Sequence, residues 1–431
     1  MNKKIFVCFS IIALFFIGLF GKDKKPNILI ILADDLGWGD LSCYGAKDIM
    51  TPKIDELFSQ GLKFDRFYST SSVCSPARAS LMSGLYSRNA GMAGMIRSKS
   101  NQTWGKLRED ISLLPEILRD NGYYTMLVGK WNLGLSGNDL PNARGFDDFY
   151  GFLGDMMEDY FTHIRHNTNY MRVNEKEVKV SGHATDIFTD WACHLIEKAK
   201  AKKKPFFMYL AYNAPHDPLQ PRPDYIERIQ QRQSGISETR ARYAGLVEHL
   251  DDSVGKVIEK LKVENLFDDT IIIFLSDNGG SLSSEANNGH FRDGKGTMYD
   301  GGLAVSMGMT YPKKIPANIE TDFEAMTCDI MPTLLDICGI ESPEDLDGIS
   351  FKELLFDGKQ LPIKTLRRFC RLDNDRWRES IRQGEFKLVH DDPRKAPELY
   401  NTHDDPSEST NLADSEKDVF NNLSLYLQGR P

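Results

Sequence analysis

The segment NILIILADD, residues 27–35, decides the fold of this chain of 431 residues. It is a compact apolar run that follows Pro26 and ends in two aspartates. A second segment of the same kind, TIIIFLSDN at residues 270–278, ends in an aspartate and an asparagine. Apolar runs without alternation are typical of strands that are buried on both faces of a parallel sheet. Both segments therefore predict central strands.

Further strand-like runs alternate with helical ones through most of the chain. Residues 125–128 and 205–211 have the same apolar character as the two central segments. Residues 237–261 predict a long helix, because their apolar side chains recur at spacings of three and four and Ser237 can cap the start. A shorter helix is predicted at 112–121, ending before Gly122. This alternation predicts an α/β fold with a large, mixed, mostly parallel sheet flanked by helices.

The regular alternation of strand-like and helical segments ends at about residue 320. A helix is predicted near residues 329–338 and a strand at 384–389, with short segments around them. We therefore expect a catalytic α/β domain at residues 22–320. A smaller C-terminal α+β subdomain with a short antiparallel sheet is expected at residues 321–431.

The first 21 residues have the pattern of a secretory signal peptide. Lys3 and Lys4 precede an apolar run at residues 5–20, and Gly21 follows it. Sixteen apolar residues are fewer than the ~20 that span a bilayer comfortably, so we expect cleavage and no membrane span in the mature chain. The triplets that begin at Asn101 and Asn422 are compatible with glycosylation in that pathway. A lysosomal or extracellular destination is expected.

Composition narrows the class of protein further. Hydrophobic residues make up 41% and charged residues 27%, which is typical of a globular enzyme and not of a disordered chain. The formal net charge of −9 has the wrong sign for a nucleic-acid-binding protein. Seven cysteines are too few for a disulfide scaffold, and their odd number leaves at least one thiol without an intrachain partner.

Oxygen donors follow both central strands. Asp34 and Asp35 end the first, and Asp277 and Asn278 end the second. Ligands of open α/β sheets bind beyond the carboxyl ends of strands, and three carboxylates held together there would repel one another without a cation. A set of oxygen ligands suits calcium or magnesium. The alternative is that each pair only caps a turn, but two such pairs at equivalent strand ends favour a metal site.

The third chemical feature is the motif CSPAR at residues 74–78. Pro76 predicts the start of a helix, which places Cys74 at its positive end and Arg78 one turn inside. Such a position suits an anion. A buried structural cysteine is the alternative.

With these motifs the sequence resembles the formylglycine-dependent sulfatases, and especially the group related to arylsulfatase A. The similar segments are ADDLGWGD (33–40), CSPAR (74–78), GKW (129–131), PHDP (215–218), SDNG (276–279), GKGT (294–297) and ELY (398–400). They run in order along nearly the whole mature chain. The resemblance implies an alkaline-phosphatase-like fold and hydrolysis of a sulfate monoester.

The resemblance also implies a nucleophile and a metal. Cys74 resembles the cysteine that a formylglycine-generating enzyme, the expected partner, converts to the aldehyde 3-oxoalanine, whose hydrate attacks sulfur. Asp34, Asp35, Asp277 and Asn278 resemble the ligands of one calcium ion, with residue 74 completing the set.

Four further residues are similar to the family's sulfate-binding groups. Arg78 resembles the arginine that steadies the nucleophile, and Lys130 and Lys295 resemble the lysines that neutralise sulfate and assist the leaving oxygen. His216 resembles the histidine that binds sulfate and can protonate the leaving group. Fixed positive charge is also what the chemistry requires, because an anionic nucleophile attacks an anionic ester.

One residue departs from the family pattern. The chain reads GKWNLG at 129–134, where the family has histidine in place of Asn132. That histidine resembles a base for release of sulfate, and asparagine cannot take a proton at ordinary pH. Three outcomes are open: slower turnover with another base, a trapped intermediate, or an inactive protein that binds sulfated glycans or lipids. If activity is merely attenuated at this position, Asn132→His should raise turnover.

The sequence leaves the substrate open among aryl, glycan, lipid and steroid sulfates. A phosphoesterase of the same broader superfamily is a more distant alternative, although such enzymes commonly use serine or threonine as the nucleophile.

Overall fold

The computed structural model describes residues 24–98, 105–362, 364–371 and 377–428. The predicted signal peptide therefore lies outside the described residues. The strands are β1 (Asn27–Asp34), β2 (Leu62–Phe64), β3 (Phe67–Tyr68), β4 (Tyr124–Lys130), β5 (Asp148–Phe152), β6 (Ile164–Arg165), β7 (Thr168–Asn169), β8 (Met171–Val173), β9 (Lys176–Glu177), β10 (Phe206–Pro215), β11 (Thr270–Ser276), β12 (Met307–Thr310), β13 (Ile319–Thr321), β14 (Ala325–Met326), β15 (Leu366–Arg371), β16 (Trp377–Gln383), β17 (Phe386–His390) and β18 (Glu398–Asn401). The α-helices are α1 (Pro52–Ser59), α2 (Cys74–Ser83), α3 (Leu114–Asp120), α4 (Ala184–Lys202), α5 (Pro223–Arg232), α6 (Glu238–Val263), α7 (Asp300–Leu303), α8 (Ile330–Ile337), α9 (Lys352–Asp357) and α10 (Lys417–Gln428).

Ten strands form one large sheet in the order β13-β2-β12-β11-β1-β10-β4-β5-β8-β9. The central strands β11, β1, β10, β4 and β5 run parallel to one another. Antiparallel pairs extend the sheet at both sides, through β12 and β2 on one side and through β8 and β9 on the other. The prediction of a mixed, mostly parallel sheet is confirmed, and the segments at 27–35 and 270–278 are its adjacent central strands.

Helices cover both faces of this sheet. Apolar side chains of α2, α3, α8 and α9 pack with one face, and those of α1, α4, α5 and α6 pack with the other. The long predicted helix is α6, whose first turn is capped by Ser237 Oγ accepting a hydrogen bond from the Arg240 amide at 3.0 Å. The predicted helix at 112–121 is α3, which starts two residues later, at Leu114. No described helix is both long and apolar enough to cross a membrane.

The C-terminal part builds a separate antiparallel sheet. Its four strands have the order β15-β16-β17-β18, and α10 packs against it. The strand predicted at 384–389 is β17, which ends one residue later and begins two residues later because Gly384 takes a left-handed φ of 59° in the preceding turn. Strand β13 belongs to the large sheet, and helix α8 packs on that sheet's core. The division at residue 320 stays a prediction.

Buried charges join the antiparallel sheet to the rest of the molecule. Lys387 of β17 donates to Asp300 at 2.5 Å and to Glu408 at 2.8 Å, and all three side chains are buried. Arg382 of β16 also pairs with Asp300. Removing one partner from such a cluster would leave an uncompensated buried charge, so these contacts fix the sheet in place.

None of the cysteines among the described residues forms a disulfide bond. They are Cys43, Cys74, Cys193, Cys328, Cys338 and Cys370.

Candidate active site

The two pairs of oxygen donors meet at one edge of the large sheet. Strands β1 and β11 are parallel neighbours in register, with Ala33 opposite Ser276, so the residues that follow them lie side by side. The Asp35 amide donates to Asp277 Oδ1 at 3.2 Å, and Asn278 Nδ2 donates to Asp35 Oδ1 at 2.8 Å. These side chains are buried, as is Asp34.

Helix α2 brings Cys74 to the same place. The helix begins at Cys74, after extended backbone at Val73, so the thiol lies at its N-terminal end. Cys74 Sγ donates to Asp34 Oδ1 at 3.3 Å and is buried. Burial and the nearby carboxylates of Asp277 and Asp34 raise the pKa of this thiol well above its ordinary value. An unmodified Cys74 is therefore a protonated thiol here and a poor nucleophile.

Arg78 and Lys130 place fixed positive charge beside the thiol. Arg78 lies one turn into α2 and donates to Asp277 Oδ2 through Nη2 at 2.8 Å and Nε at 3.1 Å. Lys130, the last residue of β4, donates to Asp34 Oδ2 at 2.6 Å. Both cations are fully buried. Burial alone would raise the pKa of Asp34, but nearby positive charge, above all that of Lys130, outweighs burial and holds that pKa well below its usual range.

Lys295 and His216 form the more open side of the cluster. Lys295 Nζ donates to Asp35 Oδ2 at 2.5 Å and lies 3.0 Å from His216 Nε2. His216 Nδ1 is 2.8 Å from the carbonyl oxygen of Asp217, which assigns the ring proton to Nδ1 and a lone pair to Nε2. Burial and the charge of Lys295 lower the pKa of His216. The lysine therefore carries the proton of this pair.

The donors at the strand ends fit a hard divalent cation. Asp34, Asp35, Cys74 and His216 each offer a ligand atom within 4.8 Å of the others. Asn278 Oδ1 is buried and has no hydrogen-bond partner, although a buried amide oxygen normally has one. Burial and the neighbouring carboxylate of Asp34 raise the pKa of Asp277 to about 7. The donors that follow the two strands, Asp34, Asp35, Asp277 and Asn278, all offer oxygen atoms, as calcium and magnesium require.

Asn132 lies next to this cluster but contacts other groups. Its Oδ1 accepts a hydrogen bond from Ser75 Oγ at 2.9 Å, and its Nδ2 donates to the Ile96 carbonyl at 3.1 Å. The remaining predicted residues, Asp34, Asp35, Cys74, Arg78, Lys130, His216, Lys295, Asp277 and Asn278, are linked by direct contacts into one group.

A second cluster of possible ligands has an ordinary structural explanation. His183, Asp186 and His249 lie within metal-binding distance of one another. His183 Nδ1 accepts from the Thr185 amide at 3.2 Å, so its Nε2 carries the proton and donates to the Gln220 carbonyl at 3.0 Å. Because neither nitrogen of His183 is left to bind a metal, this cluster is a buried hydrogen-bond network.

Residues that the sequence did not single out support the loop that carries Lys295. Arg378 of β16 donates to the Gly296 carbonyl at 2.7 Å and pairs with Asp391 at 3.0 Å. Asp391 accepts from the Met298 amide at 2.7 Å. The loop and its two supporting residues are more than 80 residues apart in the chain, so no local motif could have revealed them. Ser75 was also missed, although its position beside Cys74 is a signal.

Comparison with known proteins gives consistent matches over the chain. A family model described as Sulfatase matches residues 26–340, and one described as N-sulphoglucosamine sulphohydrolase, C-terminal, matches residues 288–428. N-acetylgalactosamine-6-sulfatase of Homo sapiens is 32% identical over 364 residues, which cover 79% of this chain and 68% of that protein. Arylsulfatase J of Mus musculus is 32% identical over 352 residues, covering 79% and 57%.

A solved structure extends the similarity to three dimensions. The crystal structure of Ps i-CgsB in complex with k-i-k-neocarrahexaose superposes with a TM-score of 0.87 at 32% identity, covering 94% of this chain and 92% of that one. The alkaline-phosphatase-like fold expected from the sequence is thereby confirmed.

Proposed function

Because the chain belongs to the sulfatase family, whose members hydrolyse sulfate esters, we propose that its substrate is a sulfate monoester carried by a sugar. The observation that carries the proposal is Cys74 at a helix N-terminus beside two buried cations, Arg78 and Lys130, and beside oxygen donors that fit a metal. The sugar is supported by two relatives, one named N-acetylgalactosamine-6-sulfatase and one crystallised with neocarrahexaose.

The nucleophile is proposed to be formylglycine made from Cys74. The environment supports this, because a thiol whose pKa is raised by burial and two carboxylates is inert, whereas a hydrated aldehyde at this position offers a hydroxyl for attack on sulfur. A formylglycine-generating enzyme is then the required partner. The predicted signal peptide is consistent with modification in the secretory pathway and with a lysosomal or extracellular destination.

A calcium ion is proposed to bind Asp34, Asp35, Asp277 and Asn278. When bound, it supplies Lewis-acid charge that polarises a sulfate oxygen. The orphaned Asn278 Oδ1 and the buried carboxylates that meet it at the strand ends support these residues as the ligands.

The chain's own cations are proposed to bind and orient the sulfate group. Lys130 and Lys295 lie on the two sides of the carboxylate pair, at Asp34 and Asp35 respectively, and Arg78 lies behind Cys74. Their positive charge faces the oxygens on which negative charge grows during attack. Preorganised charge of this kind in a buried site lowers the barrier more than any other single effect in many enzymes.

Lys295 and His216 are proposed to handle the leaving-group proton. Lys295 Nζ carries the proton and lies 3.0 Å from His216 Nε2. His216 is fixed by the hydrogen bond that its Nδ1 donates to the Asp217 carbonyl. A proton donated from Nζ, or relayed to Nε2 and donated there, would neutralise the departing sugar oxygen.

The test is hydrolysis by purified protein from cells that contain the formylglycine-generating enzyme. The substrates are a 6-sulfated N-acetylgalactosamine, an aryl sulfate, and sulfate and phosphate esters of one alcohol. We expect sulfate release from the sulfated sugar that is lost with Cys74→Ala and with a calcium chelator. Preference for the phosphate ester would favour a phosphoesterase, and no sulfate release from protein that carries the aldehyde would refute the proposal.

A further inference from the structure

Asn132 has an unusual backbone, and both polar atoms of its side chain form hydrogen bonds. It is fully buried and adopts a left-handed φ of 53°, a conformation that asparagine tolerates better than most residues. Its position is two residues after Lys130, at the end of β4. Both polar atoms of its amide are used, one toward Ser75 and one toward Ile96.

The three residues form a closed ring of hydrogen bonds. The Ile96 amide donates to Ser75 Oγ at 3.0 Å, the Ser75 hydroxyl donates to Asn132 Oδ1 at 2.9 Å, and Asn132 Nδ2 donates to the Ile96 carbonyl at 3.1 Å. Both backbone polar groups of Ile96 are engaged. We refer to these residues, Ser75, Ile96 and Asn132, as the hydrogen-bond ring.

The ring joins three parts of the active site. Ser75 follows Cys74 in the first turn of α2, and Asn132 follows the strand that ends in Lys130. Ile96 belongs to a loop that Ser98 also anchors, by donating to the buried Asp155 at 2.6 Å. The ring therefore ties the element that carries Cys74 to the element that carries Lys130, and it holds the loop across both.

We propose that Asn132 is a positioning residue of the sulfatase site, not a replacement for a base; the inference about catalysis rests on the proposed function. Asn132 acts through Ser75 and Ile96, which fix Cys74 relative to Lys130. The amide fills a buried position with both of its hydrogen-bonding atoms in use, so a larger imidazole has to displace its neighbours. Asn132→His should therefore lower turnover. An enzyme that was merely attenuated by the missing histidine would instead turn over faster with Asn132→His.

The variants Asn132→Ala, Ser75→Ala, their combination and Asn132→His test the ring in the full-length protein. Asn27→Ala is the matched control. Asn27 is also buried, and its amide bridges Phe206 and Thr270 at the opposite end of β1.

The first readout does not depend on activity. Amide hydrogen exchange at Ile96 should become at least about tenfold faster in Asn132→Ala and in Ser75→Ala, because each variant breaks the ring. Asn27→Ala should leave this amide unchanged. In urea unfolding, the double variant should lose less stability than the sum of the single losses. Unchanged exchange at Ile96, or additive losses, would overturn the ring as a unit even in a protein without sulfatase activity.

The second readout is steady-state hydrolysis of the sulfate ester. We expect kcat to fall about 10- to 100-fold in Asn132→Ala and Ser75→Ala, as for small misplacements of reacting groups. KM should be nearly unchanged. The kcat of the double variant should be no lower than that of the more impaired single variant. Ser75→Ala removes one oxygen and keeps the test available if Asn132→Ala does not accumulate. Faster turnover in Asn132→His, or a loss in Asn27→Ala equal to that in Asn132→Ala, would overturn the positioning role. A wild-type protein with no sulfatase activity would instead contradict the proposed function.

Discussion

Replacing Asn278 with alanine should remove about half of the stability that calcium adds to the folded protein. The reason lies in the Asn278 side chain, whose two polar atoms have different roles. Nδ2 donates to Asp35 Oδ1 and to the Gly279 carbonyl, at 2.8 and 3.0 Å. Oδ1 is buried with no hydrogen-bond partner, so a cation is what it is expected to bind.

The magnitudes follow from these contacts. A ligand at 100 times its Kd stabilises the native state by about 2.7 kcal/mol. Loss of one ligand oxygen should weaken binding at least tenfold, which leaves about 1.4 kcal/mol. Without calcium, Asn278→Ala loses the two hydrogen bonds that Nδ2 donates. It also removes the orphaned oxygen, whose burial without a partner destabilises the wild-type protein by about 1–3 kcal/mol. The variant should therefore differ from wild type by only about 1 kcal/mol in chelator.

Scanning calorimetry with and without saturating calcium measures the difference. A mature chain of ~410 residues has an unfolding entropy of about 0.9 kcal/mol per kelvin, so calcium should raise the wild-type Tm by about 3 °C and the Asn278→Ala Tm by about 1.5 °C or less. Asn421→Ala, an exposed asparagine on α10, serves as the control. Equal calcium shifts in wild type and Asn278→Ala would refute the assignment of this ligand.

Three further predictions concern groups around the site. Arg378→Met should lower kcat about tenfold or more, because it releases the Gly296 carbonyl beside Lys295, while the exposed Arg394→Met should not; steady-state kinetics decide this. Lys387→Met should destabilise the protein by about 3–5 kcal/mol in urea unfolding, because it leaves two buried carboxylates without their shared lysine. Burial and His249 lower the pKa of His183 to about 4. Because the unfolded chain binds the proton more readily than the folded protein, the free energy of unfolding should fall by about 3 kcal/mol as pH drops from about 6.5 to 4. His183→Gln should flatten that fall in pH-dependent unfolding, and an unchanged slope would contradict the assignment.

The central part of the fold was predictable because its signals are local. The apolar runs of β1 and β11 are complete within eight and seven residues, and α6 repeats its pattern over 26 residues. The outer strands of the large sheet were not predictable in the same way. Strands β2, β8, β9 and β13 have two or three residues each, too few to show a period. Their pairing depends on the sheet already being present.

The candidate site shows the same division between local and distant signals. Asp34, Asp277 and Cys74 stand at predicted ends of strands and of a helix, and the structure brings them together. The role of Asn132 was not readable from its own segment, because its partners are 57 and 36 residues away in the chain. A residue that departs from a family motif can be satisfied by contacts that the motif does not contain.

The mass of the tryptic peptide of residues 67–78 tests the central claim most directly. The peptide contains residue 74 and is released by cleavage after Arg66 and Arg78. In protein that hydrolyses sulfate esters, the account predicts the mass of an aldehyde at this position, and an aldehyde reagent should add to it. Sulfate-ester hydrolysis by protein in which residue 74 is entirely an intact thiol would contradict the account.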